Sequence, residues 1–287
     1  MKHMPQQSTT VTTRSGFTLL ELLAVITIIS ILLALIMPIF SGILGRGDNV
    51  AVSAEMTQLD QALAAYKAKF GNFPPSRLSI PTSAGGWDAK SRAEIKSIWP
   101  QFNFGNCGGL PGGFPANKLD LSGAECLVFF LGGVESGTTA APVLGGFSKN
   151  PLRPWSQSEN VDGPFMEFDL SRMTDVDGDD LYEYLDAIPD QDVPILYVSA
   201  SGGRYNKDND AGVVDDYDVF GSARDMSELY TQADGKTPHR KDSYQLISAG
   251  ADSEYGIGGK FTPGESLPSS RKNEVDNITN FSGGTLN

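Results

Sequence analysis

Cysteine and histidine are scarce in this chain, with two of each in 287 residues. Two cysteines exclude a disulfide-dense scaffold and a four-cysteine zinc site, and two histidines, one of them His3, argue against a multi-histidine metal centre. Positive charge is also in short supply. Lys and Arg number 22 against 35 Asp and Glu, a net charge of −13. Phosphate binding needs clustered cations, so a broad nucleic-acid-binding face is not expected. The sequence has no Gly-x-Ser-x-Gly elbow, no P-loop and no Gly-x-Gly-x-x-Gly turn opening a helix after a strand. His239 stands alone among Pro238, Arg240 and Lys241 and reads as a loop residue. Paired carboxylates are abundant. They sit in polar Asp/Asn/Gly loops, which suit ions and solvent better than the apolar pocket that raises a catalytic acid. The expectation is a protein that is not an enzyme.

What is present is a sharp asymmetry. Met1 to Gly16 holds Lys2, His3 and Arg14 and no acid, and Leu22 to Phe40 is an apolar run broken only by Thr27 and Ser30. A bilayer-crossing helix needs about 20 such residues. A secretory signal has a shorter apolar region, about 7–15 residues, ending in a small-residue cleavage site. Ile39-Phe40-Ser41-Gly42 is a poor site of that kind. Basic residues before the run keep that end cytoplasmic and send the rest across the membrane. Glu21 is the exception, four residues into a stretch that begins at Phe17. A carboxylate at the bilayer centre costs several kcal/mol, less near the interface. Either Glu21 lies among headgroups, or it finds a cation when helices pack. The natural candidate is the free amino group of a newly made N-terminus on a neighbouring copy.

The segment Arg14-Ser15-Gly16-Phe17-Thr18-Leu19-Leu20-Glu21 resembles the signal of type IV prepilins and type II secretion pseudopilins. The resemblance implies cleavage between Gly16 and Phe17 by a prepilin peptidase, with N-methylation of Phe17. The family's early glutamate falls on Glu21 and its helix-kinking proline on Pro38. A mid-helix proline also removes one backbone hydrogen bond, which kinks or locally opens the helix.

Beyond the apolar run, Val52, Met56, Leu59, Leu63, Tyr66 and Phe70 recur at helical spacing, a stripe that predicts a face packed on a sheet. Phe70-Gly71-Asn72-Phe73-Pro74-Pro75 should stop the helix, glycine as its cap and proline beyond. Tyr66-Lys67 and Gly71-Asn72-Phe73-Pro74 resemble the family's ending at this place. Short helices are expected at Ala93–Trp99 and at Ser122–Leu131, the latter with a capping box of Ser122 and Glu125. Strands are expected at Pro164–Leu170, from its period of two, at Ile195–Val198 and at Tyr244–Ser248. An extracytoplasmic location favours a disulfide between Cys107 and Cys126; the alternative is two buried thiols.

Three acidic clusters are candidates for calcium. Asp175, Asp177 and Asp179 alternate like the first positions of an EF-hand loop, but Asp180 stands where that loop has glycine and Asp186 where it has glutamate. The second cluster is Asn206, Asp208, Asp210, Asp215, Asp216 and Asp218. The third is Asp252, Glu254, Glu274 and Asp276. Tyr244 to Asp252 resembles the final strand and turn of the major pseudopilin of type II secretion. That family's loop binds structural calcium, which by resemblance points to Asp252 and Asp276. Ser253 in place of glycine and an insertion at Lys260–Arg271 depart from the pattern.

The sequence thus predicts an α+β, pilin-like fold: a long N-terminal helix on a small antiparallel sheet with large irregular loops. Residues 1–16 would be a cleaved leader, 17–40 a membrane and assembly helix, 41–75 its amphipathic half and stop, and 76–287 a periplasmic domain. The expected function is that of a pseudopilin of a type II secretion system, most like the major subunit, in the bacterial inner membrane and in a periplasmic filament. Its expected partners are copies of itself, minor pseudopilins, prepilin peptidase, an inner-membrane assembly platform and membrane lipid, with Ca²⁺ as a structural ion. The alternatives are a minor pilin of a type IV or DNA-uptake pilus, and a membrane-tethered calcium-binding adhesion module.

Overall fold

The helical stripe is a buried face. In the computed structural model, Val52, Met56, Leu59, Leu63 and Tyr66 are at most 3% exposed. The structure describes residues 18–81, 85–110, 118–138, 141–200, 205, 226 and 228–286. Helix α1 spans Leu19–Phe70. Gly71 ends it with a φ of +87° that a side chain would resist, and its N–H donates to the Lys67 carbonyl at 2.8 Å. The chain divides into two compact units, Met1–Arg46 and Gly47–Asn287.

In the first unit, the large apolar side chains from Leu19 to Leu33 are all exposed. Among the described residues no helix is long and apolar enough to cross a membrane, and the described side chains of this stretch stop at Ala34.

In the second unit, strand β1 (Leu78–Pro81) pairs antiparallel with β2 (Lys118–Leu121), and helix α2 (Ala89–Ile98) lies between them in sequence. Helix α3 (Gly123–Gly132) follows. Three short antiparallel pairs come next: β3 (Glu135–Thr138) with β4 (Ala141–Leu144), β5 (Phe147–Ser148) with β6 (Val161–Asp162), and β7 (Met173–Thr174) with β8 (Glu183–Tyr184). The remaining strands are β9 (Leu196–Ser199), β10 (Glu228–Thr231), β11 (Tyr244–Ser248), β12 (Gly258–Lys260) and β13 (Ile278–Thr279). Three of them form an antiparallel sheet in the order β13-β11-β9.

That sheet explains why β9 and β11 are buried throughout rather than alternating with solvent. Tyr197, Tyr244, Leu246 and Ile278 join the core built on the α1 stripe, together with Leu127, Phe130 and Trp99. Leu196, Val198 and Ile247 point the other way, into a second core with Tyr230, Tyr255 and Phe261. Successive strand side chains face opposite sides, so one sheet serves two cores. Tyr197 donates to the Pro74 carbonyl at 2.7 Å, and the Ser199 N–H donates to Ser76 Oγ at 3.0 Å, tying down the segment after α1.

The expected strand at Pro164–Leu170 does not form. Its burial does alternate, with Met166 and Phe168 buried and Glu167 and Asp169 exposed, but among the described residues no neighbouring strand supplies a ladder. Instead the N–H groups of Phe165 and Met166 both donate to the Leu131 carbonyl, at 2.7 and 3.3 Å, hanging the segment on the end of α3. Asp169 then caps a 3₁₀ turn, Leu170–Arg172. Periodicity reported which side chains face the core; hydrogen-bond partners decide whether extended chain becomes a strand. The first short helix is also longer than its apolar pattern indicated, because Asp88 accepts from the Ser91 N–H and starts it earlier. The result is an α+β architecture of an N-terminal helix with small, mostly antiparallel sheets.

Candidate functional site

The first turn of α1 carries the residue that sequence made conspicuous. Helix N-termini leave backbone donors without partners. Thr18 and Glu21 satisfy two of them reciprocally. The Glu21 N–H donates to Thr18 Oγ1 at 3.2 Å, and the Thr18 N–H donates to Glu21 Oε2 at 2.9 Å. The Thr18 hydroxyl adds a bond to the same Oε2 at 2.8 Å. Glu21 Oε1 takes part in none of these bonds. Gly16 and Phe17 lie outside the described residues, and Pro38 falls within α1 with its side chain outside the description.

The second place of interest is the turn joining β7 to β8. Asp175 organises it: Oδ1 accepts from the Gly178 and Asp179 N–H groups at 2.7 and 3.1 Å, and Oδ2 from the Asp180 N–H at 3.0 Å. Asp180 adopts the left-handed region at φ +70°, which matches its place where an EF-hand loop has glycine. Asp186 is drawn away from the turn. Its Oδ1 accepts from the Ile188 N–H at 2.9 Å and its Oδ2 from Ser248 Oγ at 2.5 Å. Asp186 therefore does not complete the EF-hand spacing, while Asp175 stays within the turn.

Asp177 and Asp179 instead meet Glu125 from α3, one oxygen of each lying within 4.8 Å of the others. Glu125 is held by the expected capping box, its Oε2 accepting from the Ser122 N–H at 2.5 Å. Its Oε1 is buried and has no hydrogen-bond partner. Glu183, fully buried on β8, accepts from the Val176 N–H at 2.9 Å through Oε2, and its Oε1 is likewise without a partner. Burial first, then the Asp179 charge, pushes the Glu125 carboxyl up from its ordinary value. Burial pushes Glu183 up to about 8 and Asp177 to about 6, the latter with help from the Asp179 and Asp175 charges.

In the C-terminal loop, Asp252 and Asp276 do come together. Asp276 Oδ2 accepts from the Ala251 and Asp252 N–H groups at 2.8 and 3.3 Å. Burial and the Asp276 charge raise Asp252 to about 6. Glu274 of the same cluster already has its cation. Arg271 donates through Nε to Oε1 at 2.8 Å and through Nη2 to Oε2 at 2.5 Å, and the Tyr230 hydroxyl donates to Oε2 at 2.9 Å. Glu274 Oε1 also accepts from the Gly258 N–H at 3.3 Å, which fixes the glycine-rich loop. Asn206 to Asp218 lie outside the described residues.

The expected disulfide is absent. Cys107 and Cys126 are buried thiols in separate settings. Cys107 donates to the Pro81 carbonyl at 3.0 Å, and Cys126, on the core side of α3, donates to the Leu121 carbonyl at 3.9 Å. Each sulfur is held by its own neighbourhood.

Residues 12–37 match the family model of the prokaryotic N-terminal methylation motif. This motif indicates a type IV pilin-like protein. It implies processing by a prepilin peptidase and assembly with other pilin subunits, and it suggests N-terminal membrane anchoring. No curated protein sequence and no solved structure matches the chain. The pilin-like motif ends well before the acidic turn, so the roles of Glu125 and Glu183 come from geometry alone. The sequence did flag Glu125, but only as a capping residue. The capping box fixes its Oε2, and nothing in the linear pattern told that this carboxylate would meet Asp177 and Asp179.

Proposed function

We propose that this pilin-like chain is a pseudopilin of a type II secretion system, most like the major subunit, polymerising into a periplasmic filament that drives protein export. The observation carrying the reading is the methylation motif at residues 12–37, with Glu21 in the first helical turn. Cleavage after Gly16 would free the Phe17 amine. Glu21 Oε1, uninvolved in the Thr18 bonds, is then the acceptor for the amine of a neighbouring copy. Neutralising a charge in lipid removes most of its cost and fixes one axial register between subunits. A contact between two different surfaces that does not close on itself propagates as a helical filament. The exposed apolar side chains from Leu19 to Leu33 would supply the packing surface.

Glu21→Gln and Glu21→Ala in the native chromosomal context test the reading. Both variants should enter the membrane and be processed, yet lose copurifying filaments and reduce protein export at least tenfold. Unchanged export with loss of surface pili or DNA uptake would favour the minor pilin instead. Unchanged export and intact filaments would remove the assembly role of Glu21.

A further inference from the structure

Where the β7–β8 turn lies against the first turn of α3, negative charge is concentrated with no counter-charge among the described residues. Glu125, Asp177 and Asp179 bring one oxygen each within 4.8 Å of the others, the charge of Glu183 acts on Glu125, and the charge of Asp177 acts on Glu183. Among the described residues, none of the four forms an ion pair with Lys or Arg. This distinguishes the turn from the C-terminal loop, where Arg271 serves Glu274. The second observation is independent of charge counting. Glu125 is 3% exposed and Glu183 fully buried, and each keeps one oxygen, Oε1, with no donor. Buried polar atoms in native proteins are nearly always bonded, and an unmet carboxylate oxygen is costly.

We propose that Glu125, Asp177 and Asp179, with Glu183 beside them, bind one hard divalent cation, calcium by the chemistry of the donors. All the donors are carboxylate oxygens, which select hard ions over zinc or copper. Calcium accepts six to eight oxygens in irregular geometry and tolerates several carboxylates, with waters and backbone carbonyls completing the shell, whereas magnesium demands a stricter octahedron and keeps more of its water. The ion would join the N-terminus of α3 to a hairpin turn distant in sequence, so binding energy would become folding energy. This site shares Asp177 and Asp179 with the first of the three sequence candidates and differs from all of them in its membership. It recruits a glutamate from another element, Glu125 on α3. It does not depend on the pilin-like assignment.

The experiment is thermal unfolding of the full chain in detergent, in EDTA and in excess CaCl₂, with isothermal titration of CaCl₂ alongside. The wild-type chain should take up one calcium here and gain about 5–10 °C in Tm at a hundredfold excess over Kd. The double variant Asp177→Asn/Asp179→Asn should lose that response while melting in EDTA at or above the wild-type temperature, since it removes repulsion. Asp252→Asn/Asp276→Asn should keep the response. The proposal is overturned if wild type shows no calcium response or if the 177/179 variant retains it. It is overturned equally if that variant melts well below wild type in EDTA, which would mean the carboxylates serve the fold directly.

Discussion

Arg172 grips Glu55 with both ends of its guanidinium: Nη1 donates to Oε2 at 2.9 Å and Nη2 to Oε1 at 2.5 Å. Glu55 sits on the buried side of α1 at 6% exposure, and the Tyr184 hydroxyl donates to its Oε1 at 2.9 Å. The charge on the helix is thus matched from the Leu170–Arg172 turn, which leads directly into the β7–β8 hairpin that carries the acidic turn. Nearby, Asp60 of the same helix accepts from Tyr244 at 2.8 Å, Asn280 at 3.1 Å and Arg240 at 3.3 Å. Two polar anchors flank an apolar stripe, and each fixes the helix's register against the sheet.

Removing Glu55 leaves Arg172 partly buried without its partner. Glu55→Ala should cost about 3 kcal/mol in urea unfolding of the full chain. The double change Glu55→Leu/Arg172→Leu should recover much of that loss, because two apolar side chains leave no charge uncompensated.

Glycine substitutions should separate by their surroundings. At Gly258, φ is +74° and a Cβ would fall 1.8 Å from the Glu228 carbonyl oxygen, so Gly258→Ala forces the β10–β12 pairing apart. At Gly71, φ is +87° but nothing lies within 4 Å. Gly71→Ala should cost roughly 1 kcal/mol for backbone strain alone, and Gly258→Ala should cost several times more by the same urea titration.

Asp186 gives a pH dependence of the less usual sign. It is 2% exposed, and burial holds its carboxyl above the ordinary value despite bonds from Ser248, Ile188 and Gln191; the Glu55 charge raises it further. A raised folded-state pKa means the native form keeps its proton longer than the unfolded chain. Its contribution to stability therefore falls as pH rises from about 4 through the raised value. Asp186→Asn should gain stability relative to wild type across that window, read from Tm measured in EDTA from pH 4 to 7.

Both sulfurs are thiols in the folded chain. Protein purified without reductant should be inert to a thiol reagent when native and should react at two sites per chain once unfolded in urea. A pair joined as first expected from location would react at none.

The sequence made the framework legible where pattern and partner coincide. The stripe from Val52 to Tyr66, the strand Tyr244–Ser248 and the Ser122–Glu125 capping box rest on local periodicity or local hydrogen bonds, and each stands in the structure. Pro164–Leu170 misled because its alternation was real but its ladder partner was not. The acidic turn was found, yet its membership was not. Asp186 fitted a spacing rule, while Ser248 claimed it. Glu125 entered through tertiary packing of α3 on the β7–β8 hairpin, which no linear spacing encodes.

Processing as a pilin-like protein is the step on which assembly of this chain would depend. The decisive measurement is intact mass and N-terminal fragment mass of the protein isolated from membranes of its native host. The isolated protein should begin at N-methylated Phe17, with Met1–Gly16 gone and the apolar helix retained. A leader still attached, or a cut downstream of Phe40 that discards the apolar run, would contradict it.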